Sequence, residues 1–144
     1  MPSTVAQVRR ALRDQLLALS GWRETSFPLG ILETPSTQGH LAFSVVDEAA
    51  TNVSHRGKDG DTVAHQIDFR VSFLYRMTPS AADLMSDWDG SSDAAQDAIQ
   101  ALMNQGSWQY DYLVRYTRMN RSRLSDSAWL QIDLYFTVEH ELEV

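Results

Sequence analysis

The side chains in this sequence that could do chemistry are four histidines, scattered carboxylates and an arginine-rich run. None of them falls into a catalytic spacing. The histidines are His40, His55, His65 and His140. No two stand four apart on a helical stretch and there is no H-E-x-x-H, so a metal site would have to gather ligands from distant segments. His140-Glu141 reads as a chance dipeptide at a strand end. The sequence has no cysteine, which removes thiol nucleophiles, disulfides and thiolate metal sites. It also lacks G-x-S-x-G. Asp68, Asp133 and His65 would be the acid/base groups of a small hydrolase or isomerase if the fold brought them together in a cleft. Their strand-like surroundings favour a plainer role, with the carboxylates paired to arginines such as Arg70 or Arg115 across a sheet. The sequence calls for no cofactor.

Arg56-Gly57-Lys58-Asp59-Gly60-Asp61 has the glycines and lysine of a phosphate loop without its spacing, and it leads into a strand rather than a helix. Asp59 and Asp61 alone do not make a calcium loop. Turn composition makes this segment a solvated hairpin tip. If it has a function, it is as a contact loop, with His55, Arg56, Lys58, Asp59 and Asp61 as the contact residues.

The second candidate contact region is Arg115, Arg118, Arg121 and Arg123. It follows a stretch from Met77 to Val114 with no Lys or Arg, where Asp83, Asp87, Asp89, Asp93, Asp97 and Asp111 fall. Such segregation suits contacts between identical copies. Tyr110, Tyr112, Tyr116 and Tyr135 could stack on bases, but a formal net charge of −7 argues against general duplex binding. Lys58 is the only lysine, and arginine is the cation that pairs with carboxylates in planar, bidentate fashion.

These residues need elements to position them. At 144 residues, 43% hydrophobic and 22% charged, the sequence reads as one globular domain spanning 1–144. No run is long and apolar enough for a membrane helix. The N-terminus lacks a signal-peptide core, and the missing cysteines fit a reducing compartment. Ser3 or Thr4 can cap a helix of about 17 residues, with Gln7 three residues after Thr4 giving a capping-box-like start; Val5, Val8, Leu12, Leu16 and Leu19 stripe it and Gly21 closes it. Residues 22–40 read as an irregular crossing, with a short extended piece at Gly30–Glu33. A strand is expected over Leu41–Asp47, then a turn-rich loop over Ala49–Asp61 as the mobile tip of a long hairpin.

The next strand, Val63–Met77, alternates Ile67, Phe69, Val71 and Phe73 against Gln66, Asp68, Arg70 and Ser72. Thr78-Pro79 predicts a helix start, with Ala81, Leu84, Met85 and Trp88 inward. Asp89-Gly90-Ser91 predicts a break. A further helix is expected over Asp93–Asn104, with Ile99, Leu102 and Met103 inward. Strands are predicted over Tyr110–Met119 and Trp129–Glu141, joined by a polar turn over Asn120–Ser127. The last strand places Leu130, Ile132, Leu134, Phe136 and Val138 inward. Trp88 and Trp108 read as core or subcore; Trp22 and Trp129, beside loops, read equally as interface or packing residues. The order predicts an α+β fold, a mostly antiparallel sheet with helices packed on one face.

The layout as a whole resembles the tail terminator and tail-completion (neck) proteins of long-tailed phages and gene-transfer particles. The resemblance rests on the N-terminal helix, the strand with its loop, the long strand ending Tyr75-Arg76-Met77, the Thr78-Pro79 start, Asp97-Ala-Ile-Gln-Ala-Leu102, and a closing strand with Leu134-Tyr-Phe-Thr-Val138. It implies a non-enzymatic structural protein of the virion tail or neck, assembled in the host cytoplasm. Such proteins form hexameric rings that cap the tail tube, stop its polymerisation and offer a surface for head attachment. The implied partners are further copies of the chain, the tail tube protein and a head-completion or connector protein, with DNA only passing through the lumen and no membrane. The alternatives are another head–tail connector, or a small α+β binding module with a ligand pocket.

Overall fold

The computed structural model describes residues 3–25, 39–52, 62–77, 84–104, 112–123 and 128–143. In chain order the elements are α1 (Val5–Leu17), β1 (Arg23–Glu24), β2 (Ala42–Asn52), β3 (Thr62–Arg76), α2 (Leu84–Met103), β4 (Leu113–Arg123) and β5 (Trp129–Glu143). The five strands form one sheet in the order β1-β2-β3-β5-β4. Among the described residues only the two-residue β1 pairs in parallel; the other pairings are antiparallel. The fold is α+β, as the element order predicts.

Helix α1 starts as the sequence dictates. Thr4 accepts from the Gln7 amide, and the Gln7 side chain accepts from the Thr4 amide. This reciprocal box satisfies two of the amides a helix start leaves unpaired. Val8, Leu12 and Leu16 are fully buried, with Val5 and Leu19 packed beside them. The helix is shorter than expected. It ends at Leu17 because the Leu19 amide donates to Leu16 O, a tighter last turn. Gly21, at φ +84°, turns the chain beyond it.

The core lies between the sheet and the helices. Ile67, Phe69, Val71 and Phe73 of β3 and Leu130, Ile132, Leu134, Phe136 and Val138 of β5 are all buried there. Trp22 joins them, its ring 4.8 Å from that of Phe73. Trp129 is buried on the opposite face with Ala42 and Leu74. Both are packing residues of this chain, whereas Trp88, read as core, is 40% exposed.

Four other expectations are corrected. Helix α2 is continuous through Asp89-Gly90-Ser91. The Ser91 hydroxyl donates to Trp88 O, so it bonds within the helix instead of ending it. Gly90 has a packing reason, since a Cβ there would collide with the Tyr75 hydroxyl. Among the described residues the inward face is narrow, made of Ser91, Ala94, Ala95, Ala98 and Leu102 with Ile99 packed beside them, while Met85 and Met103 are exposed. Strand β2 runs on to Asn52, so Ala49–Asn52 are ladder rather than loop. Strand β4 begins at Leu113 and takes in Asn120–Arg123, which pair with Leu130–Asp133 of β5. In both cases pairing with a long central strand overrides polar or small-residue composition.

Candidate interaction surface

The arginine run lies on β4, an edge of the sheet. An edge strand presents a row of backbone N–H and C=O groups that no neighbour uses. Most of β4 is exposed, and only Val114 is fully buried. Its register with β5 shifts between Tyr116 and Arg118, leaving Thr117 as a bulged residue. Bulges re-aim side chains. Before the shift Arg115 shares the outer face with Thr137; after it Arg118 stands opposite Tyr135, also on the outer face.

Two of the arginines are held by aromatic rings. The Arg118 guanidinium carbon sits 3.9 Å from the centroid of Tyr135. That of Arg121 sits 4.1 Å from the centroid of Trp88 on α2, and its Nη2 donates to Ser92 Oγ at 2.7 Å. Burial lowers the Arg121 pKa from its ordinary value. Stacking fixes the plane of a guanidinium and leaves part of its N–H fork open to carboxylates. Arg115 makes a loose pair with Glu139 at 3.6 Å, and Arg123 is exposed.

The corner where α2 meets β4 also exposes apolar side chains. Trp88 and Met119 are each about 40% exposed and Met85 is 69% exposed. Exposed Trp and Met with stacked Arg are the residue types enriched in protein interfaces. On the same helix Asp89, Asp93 and Asp97 recur every four residues and are all exposed, forming an acidic stripe.

The outer face of the sheet carries a cleft of about 500 Å³. Glu48 and Asp68 line one side, Thr117 and Arg118 on Tyr135 the other, with Thr137 between them. It is bounded by the β4 bulge and a second register shift on β2, where Glu48 lies between Asp47 and Ala49. The lining is polar and open, which suits a protein surface better than an enclosed small molecule.

The remaining sequence candidates fall out differently. His55, Arg56, Lys58, Asp59 and Asp61 lie outside the described residues. Asp68 and Asp133 are not neighbours. Asp68 stands opposite Thr137 and Asp133 opposite Ser72, so they lie four residues apart along β3, about 13 Å. Neither takes the expected arginine. Asp133 Oδ1 accepts from Ser72 Oγ at 2.6 Å and from Gln131 Nε2 at 3.1 Å, and Asp68 accepts from Thr137 at 3.3 Å. Short hydroxyl and amide donors on the same sheet face reach these carboxylates, while Arg115 turns to Glu139. Of the tyrosines, Tyr112 is buried and Tyr116 packs edge-on against Phe136. Tyr110 lies outside the described residues; among the described tyrosines only Tyr135 presents a ring beside the outer cleft, and Arg118 covers it.

One cluster escapes any reading by local spacing. His65 and His140 face each other across β3 and β5, Nδ1 of the first 3.0 Å from Nε2 of the second. The Nδ1 of His140 is 3.0 Å from Ser3 Oγ. The Ser3 amide donates to Glu141 O at 2.9 Å, fastening the N-terminal segment to β5. Burial, and then the neighbouring His65, push the His140 pKa down to about 4. Ser3 is 2% exposed, so its hydroxyl is packed away from any substrate. The signal in the sequence is that both histidines occupy inward positions of alternating strands.

No family model matches the chain, and no curated protein matches it. Among solved structures, it is similar to a chain from the virion of a native gene transfer agent particle. The similarity covers 96% of this chain and 98% of that one, with a TM-score of 0.52 and 18% identity. That likeness is one of fold.

Proposed function

We propose that this protein is a structural virion component of the tail-terminator kind. It forms a homo-hexameric ring on the end of the tail tube, stops tube polymerisation and offers a surface to the head-completion or connector protein. DNA passes through the lumen, and no step of this role is enzymatic. The observation that carries the reading is the end-to-end fold likeness to a chain of a gene transfer agent virion, which agrees with the layout resemblance found in the sequence.

The contacts follow from the surface of β4. An open strand edge, stacked arginine forks and an exposed Trp/Met corner meet the requirements of a protein interface. The acidic stripe of Asp89, Asp93 and Asp97 on another copy supplies complementary charge. The segment with His55, Arg56, Lys58, Asp59 and Asp61 is the second contact, with the tube or with a neighbour in the ring.

The test is charge reversal. Arg118→Glu with Arg123→Glu leaves both strands paired, because these side chains are exposed, and abolishes capping of isolated tail tubes. Asp89→Arg with Asp93→Arg restores it. Alanine at Arg56, Lys58 and Asp59 leaves the fold intact and produces tails of uneven length. Uniform tails and normal capping from all of these variants would refute the assigned contacts.

A further inference from the structure

We propose that Ser3, His140 and His65 form a proton-limited latch that fastens the N-terminal segment to β5, accepts one added proton and opens when acid supplies a second. This stands on the geometry of the cluster, independently of any role in a virion.

With both imidazoles neutral, the three groups form a chain that runs in either direction. In one, the Ser3 hydroxyl donates to His140 Nδ1 and His140 Nε2–H donates to His65 Nδ1. In the other, His65 Nδ1–H donates to His140 Nε2 and His140 Nδ1–H donates to Ser3 Oγ. Each nitrogen is a donor or an acceptor according to the tautomer. One added proton is tolerated. Placed on His65, it selects the second direction, with His65 donating and Ser3 accepting. A second proton, on His140, sets two N–H groups against each other at 3.0 Å and two charges on rings whose centroids are 5.2 Å apart. The contact cannot survive that arrangement.

A backbone hydrogen bond at Glu141 favours the charged ring, but burial and His65 outweigh it. Tyr112 faces His140 edge-on from the approach to β4, with ring centroids 6.2 Å apart. The only charge acting on His140 among the described residues is that of His65. Glu139 and Glu141 alternate onto the opposite face, where Glu139 meets Arg115. His140 is 5% exposed, so its second proton enters a site with neither solvent nor counter-charge.

The sign follows by linkage. His140 has a folded pKa of about 4, below the 6.5 of a free histidine. The open form therefore binds more protons between those values, and the closed latch loses stability as pH falls through that window. Above it, the full contribution is present.

The experiment is an NMR titration of the labelled full chain from pH 8 to pH 3.5, following the ring protons of both histidines and the Ser3 amide. The expected result is a His140 midpoint near 4 and a Ser3 amide that moves with the same midpoint, as its bond to Glu141 O is released. Ser3→Ala keeps the backbone bond to Glu141 O but removes the hydroxyl that links it to His140, so the amide at position 3 no longer follows the His140 midpoint. His65→Gln also raises the midpoint, because the like charge is gone. A His140 midpoint near 6.5, a Ser3 amide indifferent to it, or unfolding of the whole chain while that amide still reports the closed form would overturn the latch.

Discussion

β5 and β4 lie side by side in antiparallel register, and they do opposite things. β5 is central. Its inward residues Leu130, Ile132, Leu134, Phe136 and Val138 are buried, and so are Gln131 and Asp133 on the other face. β4 is an edge. Of its eleven residues only Val114 is fully buried, while Leu113 and Met119 stand about 40% exposed. The same backbone geometry gives a core in one strand and an available surface in the other, because a strand's role is set by what lies beyond it. The difference locates the buried core in β3 and β5 and leaves β4 exposed.

Side-chain truncation tests this contrast. Phe136→Ala removes a ring from the centre of the core and lowers the unfolding free energy by about 3–5 kcal/mol. Asp133→Ala strands the buried Ser72 hydroxyl and Gln131 amide on the outer face of the same strand, and costs about 1–3 kcal/mol. Met119→Ala on β4 changes stability by less than ~0.5 kcal/mol. Urea unfolding of the three variants, read by tryptophan fluorescence, checks the order. If Met119→Ala costs as much as Phe136→Ala, β4 belongs to the core and the division fails.

A smaller effect sharpens the comparison where α2 crosses Tyr75. Alanine is preferred to glycine inside a helix by about 1 kcal/mol. At Gly90 the added methyl meets the Tyr75 hydroxyl and the end of its ring. Gly90→Ala therefore destabilises the native protein by ~1 kcal/mol, net of the propensity gain. In a Tyr75→Phe background the clash eases and the same substitution becomes neutral or stabilising. A double-mutant cycle measures the reversal.

Legibility in the sequence followed the same contrast. β3 and β5 could be read residue by residue, since alternation is clear when one face is packed. The capping box of α1 was equally clear, being a local device. The far end of β4 departs from its sequence reading because Asn120–Arg123 have a turn's composition, and only the partner strand holds them in the ladder. The continuous course of α2 was hidden by Asp89-Gly90-Ser91, whose glycine answers to Tyr75, distant in sequence. The candidate arginines were visible as a charge cluster. Their stacking on Tyr135 and Trp88 was not, because it depends on a bulge and on the placement of α2. The His65–His140 pair joins residues 75 apart, which only the strand register brings together.

The measurement that bears most directly on the proposed assembly role is native mass spectrometry with negative-stain imaging of the protein mixed with isolated tail tubes. The role predicts a six-copy ring seated on the tube end, with an open centre. Bare tube ends beside a protein that stays monomeric or dimeric would contradict it.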